Sequence, residues 1–106
     1  MDSEQRKTPR RILRVRAHVE IAGRQLMTRT HDLSTDGISI LLPFPPPRAS
    51  VARIQFTLLS GSTLHTIVLT AKLTHCTLSA DEFRSGFAIV QIADKDQQLV
   101  NAFCKG

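Results

Sequence analysis

Apolar and polar positions alternate with period two along most of this chain. Leu13, Val15, Ala17, Val19 and Ile21 are separated by Arg14, Arg16, His18 and Glu20. That is the pattern of a half-buried strand with a charged outer face. Ala22-Gly23-Arg24 supplies a turn, and Gln25–His31 returns as a more polar strand, mildly favoured by Thr28 and Thr30. Ile38, Ile40 and Leu42 mark a third short strand. The run Pro43-Phe44-Pro45-Pro46-Pro47 ends it, because proline has no N–H to donate to a ladder. Ile54, Phe56 and Leu58 mark a fourth strand, and Ser60-Gly61-Ser62 turns the chain into a fifth from Leu64 to Cys76. After the Ser79-Ala80-Asp81-Glu82 turn, Phe83–Ile92 reads as a sixth. Gly86 inside it marks either a bulge or a close approach of neighbouring groups.

The period then changes. Leu99, Val100 and Phe103 fall on one face of a helix that Asp94 or Asp96 can cap, with Lys105 and Gly106 suited to its end. Some ten helical residues are marginal alone, so this segment must dock on the sheet. Residues before Arg11 show no apolar periodicity. The chain therefore divides into a flexible arm, residues 1–11, and one all-β domain, residues 12–106. Six short strands joined by tight turns predict an antiparallel barrel or sandwich.

Charge adds a location. Of the formal +5 on 106 residues, all resides in the first 31, which carry eight basic and three acidic residues. Six of those basic residues lie within Arg6–Arg16, a footprint for an anionic partner. The longest apolar stretch, Ile38–Phe44, is far too short to cross a membrane, and no signal-peptide core follows the basic segment. Cys76 and Cys104 make no disulfide framework and read as reduced thiols of a cytoplasmic protein.

Catalysis finds little support. His18, His31, His65, His75, Cys76 and Cys104 show none of the CxxC, HxxxH or HExxH spacings of metal sites. His75 and Cys76 are adjacent, so on a strand they point to opposite faces. Nothing in the sequence places a base beside Cys76, and Ser34 near His31 and Asp32 lacks the convergence a triad needs. The reading is a binding protein without metal or cofactor.

Two local patterns remain. One is Arg6-Lys7-Thr8-Pro9-Arg10, an R-x-x-x-R pair in the arm; the other is Asp32-Leu33-Ser34-Thr35-Asp36-Gly37, a D-x-S-x-x-G turn between strands. In this order, with a hairpin between them, they resemble the PilZ domain family. The resemblance continues through the proline loop Leu42–Pro47, the Ala71–Cys76 strand and Arg84-Ser85-Gly86-Phe87. It implies a six-stranded antiparallel β-barrel with a C-terminal helix, and the bacterial second messenger cyclic di-GMP as ligand. It also implies that Arg6, Arg10, Asp32, Ser34 and Gly37 bind that ligand. Lys7 and Arg11 offer the same spacing one residue later and, with Gly86, are further candidates. Gln5 stands where many members carry another Arg, which leaves one or two ligand molecules open.

These residue types suit that ligand. A guanidinium donates two parallel hydrogen bonds to guanine O6/N7 or to phosphate, and it stacks on a base. The Asp32 carboxylate accepts from guanine N1–H and N2–H₂, Ser34 offers a small hydroxyl, and Gly37 lets backbone approach closely. Arg14 and Arg16 read as solvated surface. Ligand would order the arm and change a surface for a protein partner. Two alternatives carry the same charge. A small β-barrel binding nucleic acid is disfavoured by the lack of Trp and Tyr stacking platforms. A PilZ-fold adaptor that binds no nucleotide is disfavoured by the five matching motif positions.

Overall fold

A computed structural model of the chain describes residues 9–105. Seven strands and one helix follow in order: β1 (Arg11–Ile12), β2 (Arg16–Ile21), β3 (Arg24–Leu33), β4 (Gly37–Leu42), β5 (Val51–Ser60), β6 (Thr63–Ser79), β7 (Glu82–Ile92) and α1 (Asp94–Lys105). All pairings are antiparallel. The sheet runs β3-β2-β5-β6-β7-β4, and β4 pairs back onto β3 to close a six-stranded barrel, with β1 as an extra strand on β3. Closure leaves those six strands no continuous free edge.

Alternation decides what fills the barrel. Ala17, Val19 and Ile21 point inward from β2, Ile38, Ile40 and Leu42 from β4, and Ile54, Phe56 and Leu58 from β5. Ile67, Leu69 and Ala71 from β6 and Phe87 from β7 complete the core. Each large side chain buried there contributes about 1.5–3 kcal/mol of transfer free energy. Ala22 and Gly23 both adopt positive φ, as the two-residue turn between β2 and β3 requires. The proline-rich connection from β4 to β5 is held at Phe44, whose ring lies 4.0 Å beneath the Arg24 guanidinium.

The predicted first strand is broken. Alternation continues through Leu13 and Val15, but the ladder stops between β1 and β2 because the Thr30 hydroxyl enters the gap. It accepts from the Val15 amide at 3.0 Å and donates to the Leu13 carbonyl. The second strand runs on through Leu33, so Asp32 belongs to β3 and the turn proper is Ser34-Thr35-Asp36. The fifth is also longer, ending at Ser79.

The helix docks as its marginal length demands. Val100 and Cys104 are buried, Leu99 and Phe103 partly so. Gln97 Nε2 donates to the Thr35 carbonyl at 2.9 Å, tying α1 to the β3–β4 turn. Neither predicted acid is the N-cap. The Gln97 amide bonds to Ala93 O, so Ala93 holds that position, because β7 runs to Ile92 and leaves one linking residue. Asp94 and Asp96 sit in the first turn, where negative charge complements the helix dipole.

Candidate functional site

Two of the three β-bulges among the described strands shape one row on the outer face of the barrel. On β3, Thr30 pairs with Ile40 and Asp32 with Ser39, so His31 is the extra residue. Strict alternation from inward Thr30 would turn Asp32 inward; the bulge reverses parity, turning Asp32 outward and Leu33 into the core. On β6 the register shifts between Leu73 and His75, making Thr74 the extra residue and turning His75 outward. Both bulges act on one cross-strand row. Ile12 pairs with Asp32, Asp32 with Ser39, Ser39 with Gly86, and Gly86 with His75.

A cleft of about 370 Å³ lies on this row, lined by Arg10, Ile12, Asp32, Ser39, His75, Thr77 and Arg84. Ser39, only 4% exposed although it faces outward, is the most buried of the lining residues. Gly86 lies under the His75 ring: a Cβ there would stand 2.2 Å from His75 Cε1, so no larger residue fits without displacing the imidazole. Thr74 fixes both partners, its hydroxyl donating to Gly86 O at 2.9 Å and lying 3.1 Å from His75 Nδ1. Arg84 is oriented from the other side, its Nη1 donating to His31 Nε2 at 3.0 Å. Two guanidiniums and one carboxylate thus share a polar concavity, suited to a ligand bearing both negative charge and hydrogen-bonding edges.

The sequence candidates occupy different places. Arg10 and Asp32 line the cleft together. Arg11, one residue on, stacks its guanidinium 4.7 Å from the Phe103 ring centre and donates to Phe103 O at 2.6 Å. That puts a cation at the C-terminus of α1. Ser34 is buried in the turn, its hydroxyl donating to Asp36 Oδ1 at 3.0 Å and its amide to Gly37 O at 2.9 Å. Gly37 packs where a Cβ would lie 3.0 Å from the Phe87 carbonyl oxygen. Arg6 and Lys7 lie outside the described residues. Ser39, His75, Thr77 and Arg84 are cleft residues that the sequence motifs do not mark. The signal for His75 was Gly86, since a strand glycine announces a close neighbour without naming it.

Among the described residues no three His, Cys, Asp or Glu side chains group as a metal site, and no helix is long and apolar enough to cross a membrane. Burial pushes the Cys104 thiol above its usual range, with Asp36 adding to the rise and Arg11 opposing it.

Known proteins share this architecture. The inhibitor of motility MotI/DgrA of Bacillus subtilis superposes with a TM-score of 0.84 at 16% identity, over 94% of this chain and 49% of that one. The PilZ domain of CeSA from a cellulose-synthesizing bacterium gives 0.65 at 17% identity, over 92% of this chain and 95% of that one. MrkH of K. pneumonia, in its complex with c-di-GMP, gives 0.59 at 14% identity, over 92% of this chain and 50% of that one. At such identities the likeness is one of fold, and the chain spans about half the length of MotI/DgrA and of MrkH. No curated protein matches. The family model for the PilZ domain matches residues 4–106, nearly the full length. With the closed barrel, the extra strand and the C-terminal helix, this chain belongs to the PilZ domain family.

Proposed function

We propose that the chain is a non-enzymatic cytoplasmic receptor for cyclic di-GMP, which binds in the outer-face cleft between β1, β3, β4, β6 and β7. The observation that carries this reading is the meeting of Arg10 and Asp32, one from each motif, in a single cleft. Arg10 and Arg84 supply guanidinium forks for phosphate or guanine O6/N7, and Asp32 accepts from the guanine N1–H and N2–H₂ edge. Membership of the PilZ family and the fold shared with the c-di-GMP-bound MrkH support the choice of nucleotide.

The two motifs then divide their labour. Residues 1–11 act as the arm, Arg10 entering the cleft while Arg11 fastens the arm's base to α1. This favours Arg6 with Arg10 as the clamping pair over Lys7 with Arg11. Ser34 and Gly37 serve the ligand indirectly, by fixing the turn that follows Asp32. Ligand orders the arm across the cleft and so alters the surface offered to a protein partner.

Calorimetric titration with cyclic di-GMP tests the assignment and reads its stoichiometry. Arg10→Ala is expected to lose about 1–3 kcal/mol, roughly five- to 150-fold in affinity, at an unchanged melting temperature. Undiminished affinity in that variant overturns Arg10 as a ligand residue. A log–log salt slope far shallower than the roughly −5 of a polyanion complex separates nucleotide from nucleic-acid binding.

A further inference from the structure

Beside the cleft runs a second cross-strand row on the same outer face. Arg16 of β2 pairs with Arg29 of β3, Arg29 with Leu41 of β4, Leu41 with Arg84 of β7, and Arg84 with Thr77 of β6. Three of its five positions are arginines. Arg16 and Arg29 stand directly opposite each other, an arrangement in which like charges destabilise a sheet. Both are exposed, with no carboxylate beside Arg16 among the described residues. Among the described residues only Glu82 answers Arg29, at 3.2 Å, and that pair is itself open to solvent.

Folding gains nothing from opposed arginines at an exposed pair of positions. A binding partner that spreads several negative charges across the strands would gain from them. We propose that the row Arg16–Arg29–Arg84 is a docking surface for an acidic, extended segment of a partner protein. Neighbouring strands lie about 4.8 Å apart, and alternate side chains of an extended peptide about 6.8 Å apart. Arg16 to Arg84 covers three strand spacings, about 14 Å, and three carboxylates at alternate positions of an extended peptide cover the same length as it crosses β2, β3, β4 and β7. Half-buried Leu41, in the middle of the row, and exposed Met27, beside Arg29's end of it, offer apolar contact between the charges. A nucleic acid would find the phosphates' counterpart here but no aromatic ring on which to stack a base, since the described phenylalanines lie in the core or under Arg11 and Arg24 or at the β6–β7 hairpin.

Arg84 belongs to the row and also lines the cleft, so the surface borders the proposed nucleotide seat and shares that one guanidinium with it. Arg16 and Arg29 do not line that cleft. Loss at the Arg16–Arg29 pair can thus be told apart from loss at the nucleotide seat.

The test uses the full chain and a fluorescein-labelled dodecapeptide of alternating Glu and Thr, followed by fluorescence anisotropy at low and physiological salt. Arg16→Gln with Arg29→Gln is expected to weaken peptide binding at least tenfold. Arg24→Gln with Arg53→Gln, which removes the same charge elsewhere, is expected to weaken it less than twofold. Equal losses in the two pairs would mean unspecific attraction and overturn the proposal. So would duplex DNA of the same length binding through Arg16 and Arg29 where the peptide does not. Arg16→Gln alone is expected to raise the melting temperature, and a lowered one would make the arginine structural and count against the docking role. Cyclic di-GMP affinity is expected to be unchanged in the Arg16/Arg29 variant, so loss of nucleotide binding by the wild-type chain leaves this result standing.

Discussion

The six residues from Asp32 to Gly37 lie between two unlike neighbourhoods. On one side, Asp32 faces an open polar cleft with Arg10, His75 and Arg84, held by few bonds and reachable by solvent. On the other, Ser34, Gly37 and the Thr35 carbonyl are packed under β7 and α1, with each polar group engaged by the turn or the helix. The contrast teaches that residues of one motif need not share one task. The packed half sets the path of the backbone, and the open half presents chemistry on it. Substitutions that look alike on paper should therefore separate into losses of stability and changes at the cleft.

Two glycines give the largest separation. Gly37→Ala would place a Cβ 3.0 Å from the Phe87 carbonyl, and a backbone atom in a closed barrel has little room to give. Overpacking of this kind costs about 1–3 kcal/mol, which in a domain of this size lowers the melting temperature by roughly 5–20 °C. Gly86→Ala meets His75 at 2.2 Å, a harder collision in distance. Yet the obstacle there is an exposed side chain that can rotate away. Its melting temperature is expected to stay within what about 0.5 kcal/mol allows, while the His75 ring resonances shift in the NMR spectrum. Equal destabilisation by both glycine variants would erase the distinction between the two sides.

Ser34 and Asp32 repeat the comparison more gently. Ser34→Ala removes a buried hydroxyl that donates to Asp36 Oδ1 and lies 3.3 Å from Gly37 O. Loss of such a bond costs about 1 kcal/mol, or some 4–8 °C. Asp32→Ala, on the open side, is expected to leave the melt within about 0.5 kcal/mol of wild type. Thermal unfolding followed by circular dichroism reads both. An Asp32 variant that melts lower than the Ser34 variant would move Asp32 into the structural half.

What the sequence discloses follows the same line. Local alternation is enough to recover the strands of the core, because one face of each is filled by the barrel interior: Val19, Ile40, Ile54 and Leu69 announce their direction unaided. Arg10 and Asp32 stand out in the sequence as members of two local patterns, and both line the cleft. The remaining cleft residues do not stand out, since their meeting depends on cross-strand register. The bulge at Thr74 matters most here. From Ile67, Leu69, Ala71 and Leu73, simple alternation turns His75 inward, and only the extra residue turns it out to the cleft. The break at Leu13–Val15 is hidden for a different reason. It depends on a hydroxyl fifteen residues away, Thr30, which a mild strand propensity does not reveal.

The thiols carry the comparison to its smallest effect. Cys76, next to His75, is exposed and touched by the Ser85 hydroxyl at 3.5 Å, whereas Cys104 is buried against the turn with its Sγ 3.6 Å from Leu33 O. At pH 8 a thiol reagent is expected to modify one cysteine in the folded chain and both after denaturation. Cys76→Ser is expected to abolish the native reaction. Burial raises the Cys104 pKa, so the folded state holds that proton at a pH where the unfolded chain releases it. Below the ordinary thiol value of about 8.5 both states are protonated, and the thiol's contribution to stability is fully present. As pH climbs from there through the raised folded value, the unfolded state ionises first and stability falls. Cys104→Ala removes this group and is expected to flatten the alkaline decline in melting temperature relative to wild type. An identical alkaline slope in the two proteins would show that the proton on Cys104 is not linked to folding, and that the helix-side thiol is as open as exposed Cys76.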